Sequence, residues 1–154
     1  MNTYLVTTSV FKRIWLLDEP EQRSLVEECF NEKIRHLSIQ VHIYVVMPNH
    51  CHFVLDAYNR FQLSRYLQHL KGYSGHVFKK TFPKLIEGME HDRLWTRRFH
   101  ALLLPDPFAI ERAIKYVANN PAKAALQANQ YTLSPQPSPM VYAMGRCIKE
   151  TETT

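Results

Sequence analysis

At 154 residues, with 45% hydrophobic and 21% charged side chains, the chain suits one globular domain with a single substantial core. No stretch approaches the roughly 18 apolar residues of a membrane span, and three cysteines without a CxxC pair suggest neither a disulfide framework nor a cysteine zinc site. The excess of 19 Lys+Arg over 14 Asp+Glu, a net charge of +5, leans toward an anionic partner such as nucleic acid.

The N-terminus shows no basic leader followed by an apolar run, so the expectation is a mature, soluble chain in a reducing cytoplasm. Tyr4 to Val10 is rich in β-branched residues and reads as a strand. Asp18-Glu19-Pro20 then opens an amphipathic helix, in which Leu25, Val26, Cys29, Phe30, Ile34 and Leu37 recur at helical spacing. From Ser38 to Met47 the residues alternate. Ile39, Val41, Ile43 and Val45 are expected on a core face, with Gln40, His42 and Tyr44 on a polar and aromatic one.

Met47-Pro48-Asn49 breaks the run, and His50 to Asp56 begins a second strand of a hairpin. Strand side chains alternate between faces, so His50 and His52 point one way and Cys51, Phe53 and Leu55 the other. With 8 His in the chain, chance alone supplies about 0.4 His-x-His pairs, so the pair carries weight only with its context.

Leu63 to Lys80 makes a second amphipathic helix. Its basic residues, Lys71, Lys79 and Lys80 among them, interleave with Tyr66 and Tyr73, a composition suited to a phosphate backbone or equally to a solvated helix face. Asp92 to Leu104 reads as a further strand entered through Arg97 and Arg98, and Pro105 closes it. Asp106 is a natural N-cap with Pro107 at the first helical position, and this helix runs to about Asn119. Arg112, Tyr116 and Asn120 fall four apart and form one row beside its apolar stripe. Pro121 opens a short helix, PAKAALQ. Residues 131–154, with Pro135, Pro137 and Pro139, read as an extended or disordered arm after a domain of residues 1–130. The order of elements suggests an α+β fold, one antiparallel sheet with helices packed on it.

MPNHCHFVL, LKGYSGHVFKK, LWTRRFHALLL and AIKYVANNPAKAAL, in that order, resemble the single-tyrosine HUH transposases, most of all the REP-associated tyrosine transposases and their insertion-sequence relatives. The resemblance implies a ferredoxin-like (RRM-like) domain that cleaves and rejoins single-stranded or hairpin DNA through a covalent 5′-phosphotyrosine. It maps the nucleophile onto Tyr116 and the metal ligands onto His50, His52 and Asn120, with Asn119 as the alternative ligand. Lys71, Lys79, Lys80, Arg97, Arg98 and Arg112 are the expected DNA contacts. The implied cofactor is a divalent ion, Mg²⁺ or Mn²⁺; a homodimer is compatible with the family, and the expected location is cytoplasmic, beside the nucleoid. Two other readings stand beside this one: a domesticated nucleic-acid-binding module without turnover, and a hydrolase that uses activated water. Ala125, where relatives often have glycine, and the proline-alternating arm depart from the family pattern.

Overall fold

A computed structural model describes residues 1–89, 92–120 and 133–134. The β-branched start of the chain forms β1 (Asn2–Ser9). A single 3-10 turn (Phe11–Arg13) leads on to α1 (Pro20–Leu37), which starts with proline at its first position and a reciprocal capping box between Glu19 and Gln22. Ser38 ends it in the left-handed conformation at φ 54°. β2 (Val41–Val46) and β3 (His50–Ala57) form a hairpin. Its turn is closed by the Met47 N–H donating to the His50 carbonyl at 2.7 Å. α2 (Arg60–Thr81) is capped by the Asn59 side chain and is followed by the four-residue α3 (Pro83–Ile86). Then come β4 (His100–Leu104), α4 (Pro107–Ala118) with Asp106 as its cap, and the two-residue β5 (Leu133–Ser134).

All strand pairs are antiparallel, and the sheet order is β4-β1-β3-β2-β5. A strand-helix-strand-strand-helix-strand chain with its first four strands ordered 4-1-3-2 is the ferredoxin-like arrangement, so the fold is α+β as expected. The strand anticipated from Asp92 is shorter than the sequence suggests. Residues 92–99 are irregular apart from a bridge between Trp95 and Val10, and only His100–Leu104 joins the sheet.

Both faces of the sheet are covered. On one, α1 and α2 enclose a core in which Phe30 packs against Tyr44, Phe53 and Trp95 at ring separations of 5.6, 5.1 and 6.0 Å. On the other, α4 lays Ala109, Ala113 and Val117 on Ile43, Val45 and Val54. This corrects the simple alternation expected for β2. A bulge between Val41 and Ile43 shifts the register, so Val41, Tyr44 and Val46 belong to the first core while Ile43 and Val45 belong to the second. Tyr44 is therefore buried, its hydroxyl donating to Asn31 Oδ1 at 2.6 Å, and His52 shares its face with Val45, its partner in register, and not with Tyr44. The anticipated PAKAALQ helix lies outside the described residues, as does the C-terminal arm apart from the two residues of β5.

Since the Phe30 ring joins α1 to β2, β3 and the irregular segment that carries Trp95, Phe30→Ala is expected to lower stability by about 3–5 kcal/mol. Urea unfolding measures this, and a loss below about 1 kcal/mol, the scale of one conservative methyl deletion, would place the centre of the core elsewhere.

Candidate active site

β3 carries His50 and His52, and its neighbour β1 faces them in register: Ser9 opposite His50 and Thr7 opposite His52. Each imidazole is held through its Nδ1. The Thr7 hydroxyl lies 2.9 Å from His52 Nδ1, and Asn49 Oδ1 lies 2.7 Å from His50 Nδ1. An amide oxygen can only accept, so His50 Nδ1 carries the proton. The rings are 4.8 Å apart at 81°.

Helix α4 supplies the rest. Its Asp106 cap, in which Oδ1 accepts from the Ala109 N–H at 2.8 Å, fixes where the helix begins, and its apolar stripe fixes its rotation on the sheet. Tyr116 on α4 and Asn120, two residues past the end of that helix, therefore reach the histidine site. The Tyr116 ring stands 5.5 Å from His52 at 70°, and the Asn120 side chain hydrogen-bonds His50. His52 is only 5% exposed but Tyr116 is 43% exposed, so the hydroxyl-bearing ring is open to a large substrate while the imidazole beneath it is sheltered. Asn119, the alternative ligand, is an exposed C-cap; Asn120 is the buried one of the two.

Burial pushes His50 down to about 4, helped by the charge of Arg13 and opposed by the hydrogen bond with Asn120. Burial likewise brings His52 to about 4, with His50 and Arg13 adding to the shift. Both are neutral at pH 7, the form that donates a lone pair to a metal. Among the described residues no group of three His, Cys, Asp or Glu could hold a metal ion. The available donors are therefore two imidazoles and one amide oxygen. With each Nδ1 already engaged, that set fits a divalent ion which keeps open positions for substrate and water.

The residues expected to contact DNA divide into three groups. Lys71, Lys79 and Arg97 line a groove of about 390 Å³ between α2 and residues 92–99, where Gly72 leaves open space. Lys71 turns inward and donates to the Arg98 carbonyl at 3.1 Å and that of Arg97 at 3.4 Å, and burial lowers it to about 8. Lys79 pairs with Asp92 at 3.5 Å. Arg97, Arg98 and Lys80 expose their side chains around this region, while Arg112 is exposed on α4, one turn before Tyr116. Sequence reasoning missed Thr7, Ser9, Asn49 and Arg13 at the histidine site. Only Asn49, adjacent to His50, carried a local signal.

Other solved structures share this ferredoxin-like fold. The chain superposes on a REP-associated tyrosine transposase bound to a REP hairpin with a TM-score of 0.61 and 18% identity, covering 82% of this chain and 70% of that one. A protein of Deinococcus radiodurans R1, provisionally assigned as a transposase, gives 0.58 and 18% identity over 77% of this chain and 91% of that one. At such identities these likenesses speak to the fold. No curated protein matches. The sequence itself identifies the family: the model described as "Transposase IS200 like" matches residues 2–120, and the chain belongs to that family of transposases. None of the helices among the described residues is long and apolar enough to cross a membrane.

The two depressed histidines make the fold sensitive to acid. Above about pH 6.5 they are neutral in both folded and unfolded chains; as pH falls from there toward about 4, the unfolded chain takes up protons that the folded chain resists, and stability drops. Melting temperature measured from pH 8 to 4 should fall across that window, and His52→Gln should shallow the fall. An identical profile in the variant would mean that His52 titrates normally.

Proposed function

We propose that the protein cleaves and rejoins single-stranded DNA through a covalent bond between Tyr116 and a 5′-phosphate. The observation that carries this reading is the approach of Tyr116 on α4 to His52 on β3, with Asn120 bonded to His50 one helical turn beyond. In this reading the nucleophile and the metal donors come from the same chain.

In the forward step the Tyr116 oxygen attacks phosphorus as the bond to the 3′-oxygen breaks. The phenolic proton passes to water, and the departing 3′-oxygen takes one up as a hydroxyl. Tyrosine suits a reversible step because its phenolate, with a pKa near 10, leaves far more readily than an alkoxide. A 3′-hydroxyl attacking the phosphotyrosine then reseals the strand. His50, His52 and Asn120 would hold Mg²⁺ or Mn²⁺, imidazoles favouring Mn²⁺, and the bound ion would neutralise charge at a non-bridging phosphate oxygen. His52 and Thr7, on a rigid sheet, keep that donor set in place while Tyr116 changes partners.

Hairpin-bearing DNA is the proposed substrate. A solved relative in fold is bound to a REP hairpin, and the groove beside α2, with Arg97 at its lining, has the charge to take a phosphate backbone.

Incubation with labelled hairpin DNA and Mn²⁺ should give an adduct that survives denaturation and is lost with chelator. Tyr116→Phe should abolish it while DNA affinity changes by less than about two-fold, since only the nucleophilic oxygen is removed. Cleavage that persists without an adduct in Tyr116→Phe would favour the water-using hydrolase; binding with neither adduct nor cleavage would favour the domesticated module. Affinity for single strands should fall with salt at about −0.7 in log–log slope per neutralised phosphate, and Arg97→Gln or Arg98→Gln should each reduce the slope by about that amount. An unchanged slope in both variants would move the backbone contacts off this groove.

A further inference from the structure

Between β1 and α1 two successive residues other than glycine, Lys12 and Arg13, adopt left-handed backbone conformations at φ 54° and 56°. L side chains crowd their own backbone there, so such residues are uncommon and tend to mark sites where a side chain must be aimed. Here the turn aims Arg13 back over the sheet. Its Nη1 donates to Ser9 Oγ at 2.9 Å, and Ser9 is the register partner of His50 on the histidine face. Asn49, which holds His50 through its Oδ1, donates from Nδ2 to the Arg13 carbonyl at 3.4 Å. One side chain therefore ties the histidine to the arginine.

Arg13 is exposed, and among the described residues no carboxylate forms an ion pair with it. Its charge reaches both imidazoles and helps to keep them neutral. A guanidinium has five N–H donors in a planar fork that matches phosphate oxygens, and the bond to Ser9 uses one. A cation poised next to a pair of metal ligands would only repel a divalent ion unless an anion came between them.

We propose that Arg13 is a catalytic residue of this site, its guanidinium binding non-bridging oxygens of the phosphate that Tyr116 attacks, with Ser9 as its positioning residue. The proposal rests on the tyrosine reading above. Arg13 supplies positive charge where it accumulates on those oxygens in the transition state, and the phosphate it holds lies between it and the metal donors. It follows that DNA and metal assist each other's binding, because each relieves a repulsion met by the other.

The test uses the full chain and a hairpin oligonucleotide whose cleavage position has been mapped from the wild-type adduct. Arg13→Gln should slow single-turnover adduct formation by about 10²–10³-fold, as loss of one transition-state donor does. In a Tyr116→Phe background, the same substitution should weaken binding of the normal strand by about ten-fold, within the range of one charge-assisted contact, and leave binding of a strand with a neutral methylphosphonate at that position unchanged. Without DNA, Arg13→Gln should bind Mn²⁺ more tightly by titration. Arg13→Gly, which suits the left-handed backbone, should keep or raise the melting temperature yet lose adduct formation, which separates the role from folding. An adduct rate within two-fold of wild type, or equal weakening on both strands, would falsify the assignment. If the wild-type chain forms no adduct on any hairpin, the tyrosine reading falls and this proposal falls with it.

Discussion

The site depends on the apolar contact between α4 and the second face of the sheet. Ala109, Ala113 and Val117 form a stripe four residues apart, and the two alanines let the helix lie close on Ile43, Val45 and Val54. Burying such side chains contributes about 1.5–3 kcal/mol for each larger one, enough to fix both the position and the rotation of a 12-residue helix. Once the stripe is buried, the adjoining row has no freedom. Tyr116 on α4 meets His52 on β3 because the core beside them is filled, which places both side chains on rigid elements, and Asn120, just past the C-cap of α4, meets His50.

Much of this was legible in the chain because the two regular periods transmit facing directly. Period two put His50 and His52 on one side of β3, and period 3.6 put Tyr116 on the row of α4 whose continuation past the C-cap carries Asn120. The caps at Asp106 and Pro20 likewise marked helix starts with local chemistry. What stayed hidden was tertiary. The bulge at Val41–Ile43 has no residue signature of its own, since neither glycine nor proline lies there, yet it sends Tyr44 into the first core and Ile43 into the second. A strand covered on both faces loses the clean polar alternation that a half-exposed one would keep. Thr7, Ser9 and Arg13 lie roughly forty residues before the histidines, and only the pairing of β1 with β3 brings them to the site. The strand anticipated from Asp92 failed for a similar reason: residues 92–99 are held by the bridge from Trp95 to Val10, the Trp95 bond to Ser74 and Lys71, and not by a ladder.

The same dependence on environment separates basic residues that a charge count treats alike. Lys71 and Arg13 each add one positive charge to a chain of net +5. Lys71 is partly buried, its ammonium satisfied by the carbonyls of Arg97 and Arg98, and desolvation has already lowered its affinity for a proton. Its charge holds a segment in place, and that segment turns the Arg97 and Arg98 side chains outward. Arg13 is exposed and oriented by a neutral hydroxyl, and among the described residues that bond engages one of its five donors. The two imidazoles beside it are neutral, so nothing among the described residues at the histidine site offsets its charge. In the proposed reading, the scissile phosphodiester is the anion that meets that charge.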